Sequence, residues 1–396
     1  MFVNTKSKIF IPTVVSTIFR FLFYMTLPLL SIYFKEVIHM SDQLLGIVSS
    51  FFPLVVIVFS PIIGQLSDAV GRKRIIYLGV LAQFLAVFLY LYPATVLSAV
   101  IGRILSGFGW MMVVLITLAK VHDKLKGRER GKKSGVFLGI SWIGSLLGPL
   151  IGSFLAYAFF LRFPFVLSLI GLALLLIWLF VWKSHHKPVV HKQDFNPFYA
   201  LKKYFAEKKL RAMALIGIAM HTRVAVVEIF LPLIILSLGA GLKEVGILFF
   251  LRGFAHLFQG FAGRITDKKG SKNVVILSVI ASSVLIIIAG FTKSYIPLLI
   301  FMCLEGFALA FWNVSAWTFM SEIGIRKKME GVVVGSYTSI AKTGHFVFAL
   351  ISGFLVVVFG MTPLLIITGA ISLVTVLLVA PMLASKYKIL NRDVKR

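Results

Sequence analysis

Apolar runs about as long as an α-helix needs to cross the hydrocarbon core of a bilayer recur along this chain, separated by short polar breaks. The pattern predicts twelve membrane-crossing helices, over 9–33, 43–66, 74–92, 95–119, 134–159, 163–183, 211–238, 243–266, 273–291, 295–320, 331–359 and 361–383. The runs are continuous and lack the alternation of a barrel strand, so they predict helices that satisfy their own backbone. The longest break, 184–210, is polar and basic, with six spans before it and six after it. The expected architecture is an all-α membrane protein of two six-helix bundles, 1–183 and 211–396, joined by a basic linker. The second part of the linker predicts an amphipathic surface helix with Phe198, Leu201 and Phe205 facing in and Lys202, Lys203 and Lys209 facing out.

Composition fits that pattern. The chain is 59% hydrophobic and 14% charged, with a mean hydropathy of +0.98, more apolar surface than a soluble domain of 396 residues can hide. The formal charge of +27 would suggest nucleic acid if it were spread over a soluble surface. Instead, 32 of the 41 Lys and Arg residues fall in alternate loops and at the two termini, and the opposite loops hold only Lys35, Arg162, Lys243 and Lys293. This asymmetry predicts a multi-pass protein of the cell membrane with both termini and the 184–210 loop in the cytoplasm. The basic faces are expected to touch anionic lipid heads, and no nucleic-acid partner is expected. The single Cys303 lies inside a span, so no intrachain disulfide is expected. The first apolar stretch is too long, and lacks a small-x-small site, for a cleavable signal.

One turn appears twice. Gly64–Arg74, GQLSDAVGRKR, joins spans 2 and 3, and Gly263–Lys272, GRITDKKGSK, joins spans 8 and 9. Gly64, Asp68 and Gly71 correspond to Gly263, Asp267 and Gly270 at a constant offset of 199. Other pairs follow the same repeat: Leu27–Pro28–Leu29 with Leu231–Pro232–Leu233, Gly107–Phe108 with Gly306–Phe307, and Gly135, Gly139 and Gly148 with Gly331, Gly335 and Gly344. Two halves in the same order imply parallel repeats about an axis along the membrane normal, with a site near the midplane between them.

The Gly-x-x-x-Asp-x-x-Gly-Arg-Lys turn between spans 2 and 3, repeated half a chain later, resembles the signature loop of the major facilitator superfamily. Where the family's pattern places Arg directly after the Asp, this chain has Ala69. The resemblance implies that Gly64, Asp68, Gly71 and Arg72, with Asp123, Arg130 and Asp267, form a latch that holds the two halves in the outward-facing state; the bland alternative is a static turn. Gly144, Gly148, Pro149 and Gly152, in GSLLGPLIG of span 5, resemble the helix 5 motif of drug–proton antiporters. Glycines at four-residue spacing line one helix face and admit a close neighbour. The second half has His345 and Phe348 where the first has Pro149 and Gly152.

Charges inside the spans are costly unless they are paired or face a wet cavity, roughly 2.5–3.5 kcal/mol by insertion scales. Arg20, Arg103, Glu228 and Glu305 lie in spans 1, 4, 7 and 10, the four that line the central cavity in the superfamily. Tyr24 shares a face with Arg20, His221 with Glu228, and Trp312 with Glu305. These residues, with Trp110 and Asn313, form the candidate substrate and proton cavity; the alternative is a set of structural ion pairs closing the halves. Arg252 with His256 and Lys342 with His345 are near neighbours behind them, and Trp142 and Trp317 are further candidate walls. His185, His186 and His191 in the central loop read as solvated residues in preference to a metal site.

The motifs of metalloproteases, P-loop NTPases and α/β-hydrolases are absent, and no cofactor or resident metal is called for. Without an ATP site, a gradient must supply the energy. The expectation is a monomeric secondary transporter that exports small amphipathic or drug-like molecules in exchange for protons, with both acids as carriers. The first span, FRFLFYMTLPLLSIYFKE, resembles the drug-antiporter group, but with Arg20 where many proton-driven exporters have a carboxylate. The alternative is a carrier of one sugar-like or anionic metabolite.

Overall fold

In the computed structural model, residues 3–122, 129–182, 197–326 and 329–383 are described. They form fifteen α-helices: α1 (Val3–Glu36), α2 (Asp42–Val70), α3 (Arg72–Leu91), α4 (Val96–His122), α5 (Glu129–Ala158), α6 (Phe163–Val181), α7 (Pro197–Ala206), α8 (Lys208–Ile229), α9 (Leu231–Ser237), α10 (Leu242–Phe254), α11 (Gln259–Lys269), α12 (Ser271–Gly290), α13 (Tyr295–Arg326), α14 (Glu330–Phe359) and α15 (Pro363–Leu383). A single 3₁₀ turn, Ala255–Phe258, separates α10 from α11. Twelve segments are long and apolar enough to cross a membrane, as the hydropathy pattern predicts.

Local chemistry sets the ends. The Ser41 side chain accepts a hydrogen bond from the Leu44 N–H at 3.3 Å and caps α2. Gly71 ends α2 at φ +103° while its N–H donates to Ser67 O at 3.1 Å, and Gly270 does the same after α11 at φ +82°. Only glycine takes that backbone region without strain, so the repeated turn has glycine at both copies.

Two of the predicted spans are interrupted. Span 7 breaks at Phe230, between α8 and α9, because Pro232 at the start of α9 has no N–H to continue the ladder. The matching Pro28 is absorbed inside an unbroken α1. Span 8 changes to the tighter 3₁₀ winding for one turn.

The halves repeat one packing scheme. In the first, α1 packs on α5, α3 on α4, and α3 on α6; in the second, α8 packs on α14, α12 on α13, and α12 on α15. Two seams join the halves, α2 against α14 and α5 against α10. Glycines let the helices touch backbone to backbone. A side chain at Gly144, Gly148 or Gly152 would run into the α1 carbonyls of Thr17, Phe21 and Met25, one turn apart. Gly344 meets the α8 carbonyl of Ile218 in the equivalent place.

Among the described residues, the inter-half seams are tight at one end only. Near the 37–41 and 238–241 loops, a Cβ on Gly46 would meet Ala349 O at 2.7 Å, and one on Gly246 would meet Pro149 O at 2.9 Å. The Lys243 ammonium sits 5.1 Å from the Tyr157 ring across the α5–α10 seam. Toward the end that carries α7, Gly64 and Gly260 have nothing within 4 Å. Among the described residues, none closes against Gly64 in this conformation.

The linker helix α7 is rotated from its predicted orientation. Tyr204 is fully buried and Leu201 half-buried, whereas Phe205 is 43% exposed. Lys202 and Lys203 face out as expected, but Lys209 is buried, because α8 starts at Lys208 and places it in a packed first turn. The Phe198 side chain lies outside the described set, as do residues 183–196 with His185, His186 and His191.

Candidate functional site

A cavity of about 350 Å³ lies between the halves, at the depth where the two tight seams end. Its wall is built from α1, α5, α8, α10, α13, α14 and the 3₁₀ turn. Tyr24, Glu228, Trp312 and Asn313, all expected there, line it. Pro149 lines it too, at the position where the second half has His345. Trp142, Trp317 and Tyr337 give it an aromatic wall.

Four other expected residues stand behind or beside that wall. Arg20 is buried; its Nη1 donates to Ser145 Oγ at 3.4 Å and its guanidinium lies 5.6 Å from the Trp142 ring centre. Trp110 sits under the Lys342 ammonium at 5.7 Å. Arg103 does not reach the cavity. It borders a small separate void shared with Glu228, donates from Nη2 to Ser49 O at 3.3 Å, and stacks 4.8 Å over the Phe52 ring. α4 supplies none of the residues that line the cavity.

Glu305 is fully buried on α13, bound by two arginines of its own half. Arg252 Nε donates to its Oε2 at 2.9 Å, and Arg223 Nη1 lies 3.3 Å from Oε1. Ser282 Oγ donates to Oε1 at 3.1 Å, and Arg223 also donates to Ser282 and to Ser283, the latter at 3.2 Å. This network ties α8, α10, α12 and α13 together. It satisfies a charge that would be prohibitive alone in an apolar interior. Arg223, fully buried, is not among the charges singled out from the sequence, although it lies as deep in an apolar run as Arg20. Its signal was present as an arginine inside span 7.

Glu228 keeps access to the cavity. Its Oε2 lies 3.7 Å from Nε2 of His345, the residue that stands where the first half has Pro149. Lys342, one turn before His345, lines the same cavity. His221 bonds the Gly217 carbonyl through Nδ1 at 2.8 Å, and the His256 ring meets the edge of Trp142 with centroids 4.8 Å apart. Among the described residues no group of three or more His, Cys, Asp or Glu is placed to hold a metal ion.

At the repeated turn, Asp68 pairs with Arg72 of its own segment at 2.6 Å, and Arg72 also bonds the Ser67 hydroxyl at 2.6 Å. Asp267 is exposed. Asp123 lies outside the described residues, and so does the Arg130 side chain.

The arrangement can hold a small flat solute between two halves and present it with a carboxylate, a histidine and several cations. Similar proteins carry related sequences and the same fold. Multidrug resistance protein 2 of Bacillus subtilis is 22% identical over 331 residues, covering 81% of this chain and 82% of that protein. Chloramphenicol resistance protein CraA of Acinetobacter baumannii is 30% identical over 177 residues; that match covers 43% of this chain and spans less than half, 42%, of that protein. Quinolone resistance protein NorA of Staphylococcus aureus is 26% identical over 132 residues, or 33% of this chain and 34% of that protein. Among solved structures, the nucleoside transporter NupG superposes with a TM-score of 0.77 at 16% identity, over 98% of this chain and 100% of that one. The D-xylose-proton symporter does so with a TM-score of 0.75 at 19% identity, over 96% of this chain and 100% of that one. Residues 13–341 match the profile of the Major Facilitator Superfamily. With twelve spans, two bundles of the same internal packing and a cavity between them, the chain is a multi-pass membrane transporter and belongs to that family.

Proposed function

We propose that the protein is a proton-coupled exporter of small amphipathic, drug-like molecules that works by alternating access from the cell membrane. One observation carries the reading: Glu228 faces a cavity walled by aromatic rings, at the point where the two halves' tight seams end. Three curated relatives named for resistance to chloramphenicol, to multiple drugs and to quinolones support the export direction.

With the basic loops in the cytoplasm, the tight end faces outward and the cavity opens inward. Asp68, paired within its own turn, is then an unlatched form of the signature loop, free to engage across the halves when the mouth closes. The six-helix units flanking the linker rock against each other, the protein acts as a monomer, and its basic face rests on anionic lipid. Impermeant thiol labelling in intact cells checks the orientation: a cysteine placed near residue 39 or 293 should label and one near residue 190 should not. The opposite pattern would remove the orientation.

Glu228 carries the exchanged proton and His345 relays it. Glu305 is given a holding role instead of the carrier role expected from sequence, because its oxygens are occupied by Arg223, Arg252 and Ser282 away from the cavity surface. A carrier that is neutralised cannot release its proton, so the cycle uncouples while binding persists. Glu228→Gln in proteoliposomes should abolish efflux driven by a pH gradient and retain downhill substrate exchange. Wild-type coupling in that variant would rule out Glu228 and move attention to His221, His256 and His345.

A further inference from the structure

The charges around the cavity do not balance. Arg20, Arg223, Arg252 and Lys342 stand in or directly behind its wall, against the two carboxylates of Glu228 and Glu305. One carboxylate, Glu305, is consumed by two of those arginines. Lys342 lines the cavity from α14 with its ammonium over the Trp110 ring, and Arg252 lines it from α10. Arg103, in the adjoining void, adds the same sign.

Hydrogen-bonding capacity is skewed in the same direction. Trp312 Nε1 and the Tyr337 hydroxyl have no hydrogen-bond partner, and both residues line the cavity at 7% and 3% exposure. The indole can only donate. An unmet buried donor is unfavourable until a ligand supplies an acceptor. A cationic solute would leave these donors unmet and add charge of the sign already in excess; an anionic one would satisfy both deficits. The walls add a shape requirement, since the faces and edges of Trp142, Trp312 and Trp317 suit a flat ring better than a flexible chain.

We propose that this cavity selects planar aromatic acids, with a flat ring body and a carboxylate, phenolate or comparable anionic group, over neutral and cationic solutes of the same shape. The proposal rests on the transport reading above and names its substrate class. Lys342 holds the acidic group, and the Trp312 and Tyr337 donors fix its orientation.

Three probes share one ring system: naphthalene-2-carboxylate, naphthalene-2-carboxamide and 2-naphthylmethylammonium. Equilibrium dialysis against the purified protein at neutral pH measures their affinities, and proteoliposomes with a pH gradient measure their efflux. The acid should bind at least about tenfold more tightly than the amide, and the amine most weakly, as one charge-assisted hydrogen bond would give. Lys342→Gln should lower the acid's affinity about tenfold and narrow its preference over the amide to below about threefold. Trp312→Phe, which keeps a ring and removes the donor, should lower acid affinity by about threefold or more and tests the donor argument even where Lys342→Gln fails to fold. Amine binding equal to or tighter than acid binding overturns the proposal, and so does an absence of binding by all three probes. If the amine alone is exported, the export reading stands and the acid preference falls. If the acid binds with the stated preference but none of the probes moves under the gradient, the preference stands and proton-driven export falls.

Discussion

In the first half, Arg20 and Arg103 are buried with a serine hydroxyl, a backbone carbonyl and two aromatic faces for company. In the second, Arg223 and Arg252 share the carboxylate of Glu305, and Arg223 also donates to Ser282 and Ser283. The helices around them pack in the same order in both halves, so the repeat conserved the packing and left the electrostatics free to diverge. A neutral scaffold bond and an aromatic face cost little to lose, whereas a bidentate carboxylate network is cooperative and cannot be dismantled one member at a time. The second half is thus the rigid, internally compensated partner, and the first supplies positive charge with no counter-ion of its own.

Removing the shared anion tests that contrast most severely. Glu305→Gln should destabilise the protein by about 3–5 kcal/mol, because it leaves two buried guanidinium groups without a carboxylate. Arg103→Met should change stability by no more than about 1 kcal/mol in either direction, since no carboxylate is left unpaired. Thermal unfolding of the two variants in detergent checks both. Equal losses would dissolve the distinction between the halves.

The packing seams should behave alike where the charges do not. Gly148→Ala places a methyl group 2.7 Å from Phe21 O and 2.9 Å from Met25 N, so α1 must move bodily. Gly344→Ala meets the Ile218 carbonyl of α8 in the same way. Each should cost about 1–3 kcal/mol by overpacking. Gly139→Ala, with open space around it, should be nearly silent. A cost at Gly148 with none at Gly344, measured by the same unfolding assay, would show that the seams diverged along with the charges.

The smallest effect on stability is expected at the repeated turn. The Asp68–Arg72 pair is partly exposed, and pairs of that kind contribute about 0–1 kcal/mol. Asp68→Asn should therefore leave unfolding almost unchanged and substrate affinity nearly intact while slowing transport, because the carboxylate acts on the balance between conformations. Transport and dialysis on one preparation check this; a collapse of affinity at an unchanged conformational balance would place Asp68 in binding instead.

Spans and glycine seams were legible because each is written locally, in hydropathy or in four-residue spacing. Tyr24, Glu228, Trp312 and Asn313 were legible as polar or aromatic residues at cavity depth. The partners of Glu305 were not. Arg223 and Arg252 come from α8 and α10, and their convergence on α13 depends on how helices far apart in sequence cross. Arg103 was misplaced for the same reason: its depth in the span is visible in the sequence, but its direction around the helix is fixed by α2 and Phe52. The face of α7 was turned because Tyr204, and not Phe205, meets the bundle.

The 3₁₀ turn Ala255–Phe258 has a further consequence for the repeat itself. Each residue of such a turn advances about 120° around the axis against about 100° in an α-helix, so four of them leave the following helix about 80° out of phase. α11 consequently points its side chains in directions that no continuation of α10 would give. Asp68 and Asp267 stand at matching places in the text of the chain, yet the first is engaged with Arg72 while the second, with Ser271 at the position matching Arg72, is exposed. Duplication copied the glycines and the aspartate of the turn but not the arginine that engages the first copy, and the second copy follows a helix entered through four residues of altered winding.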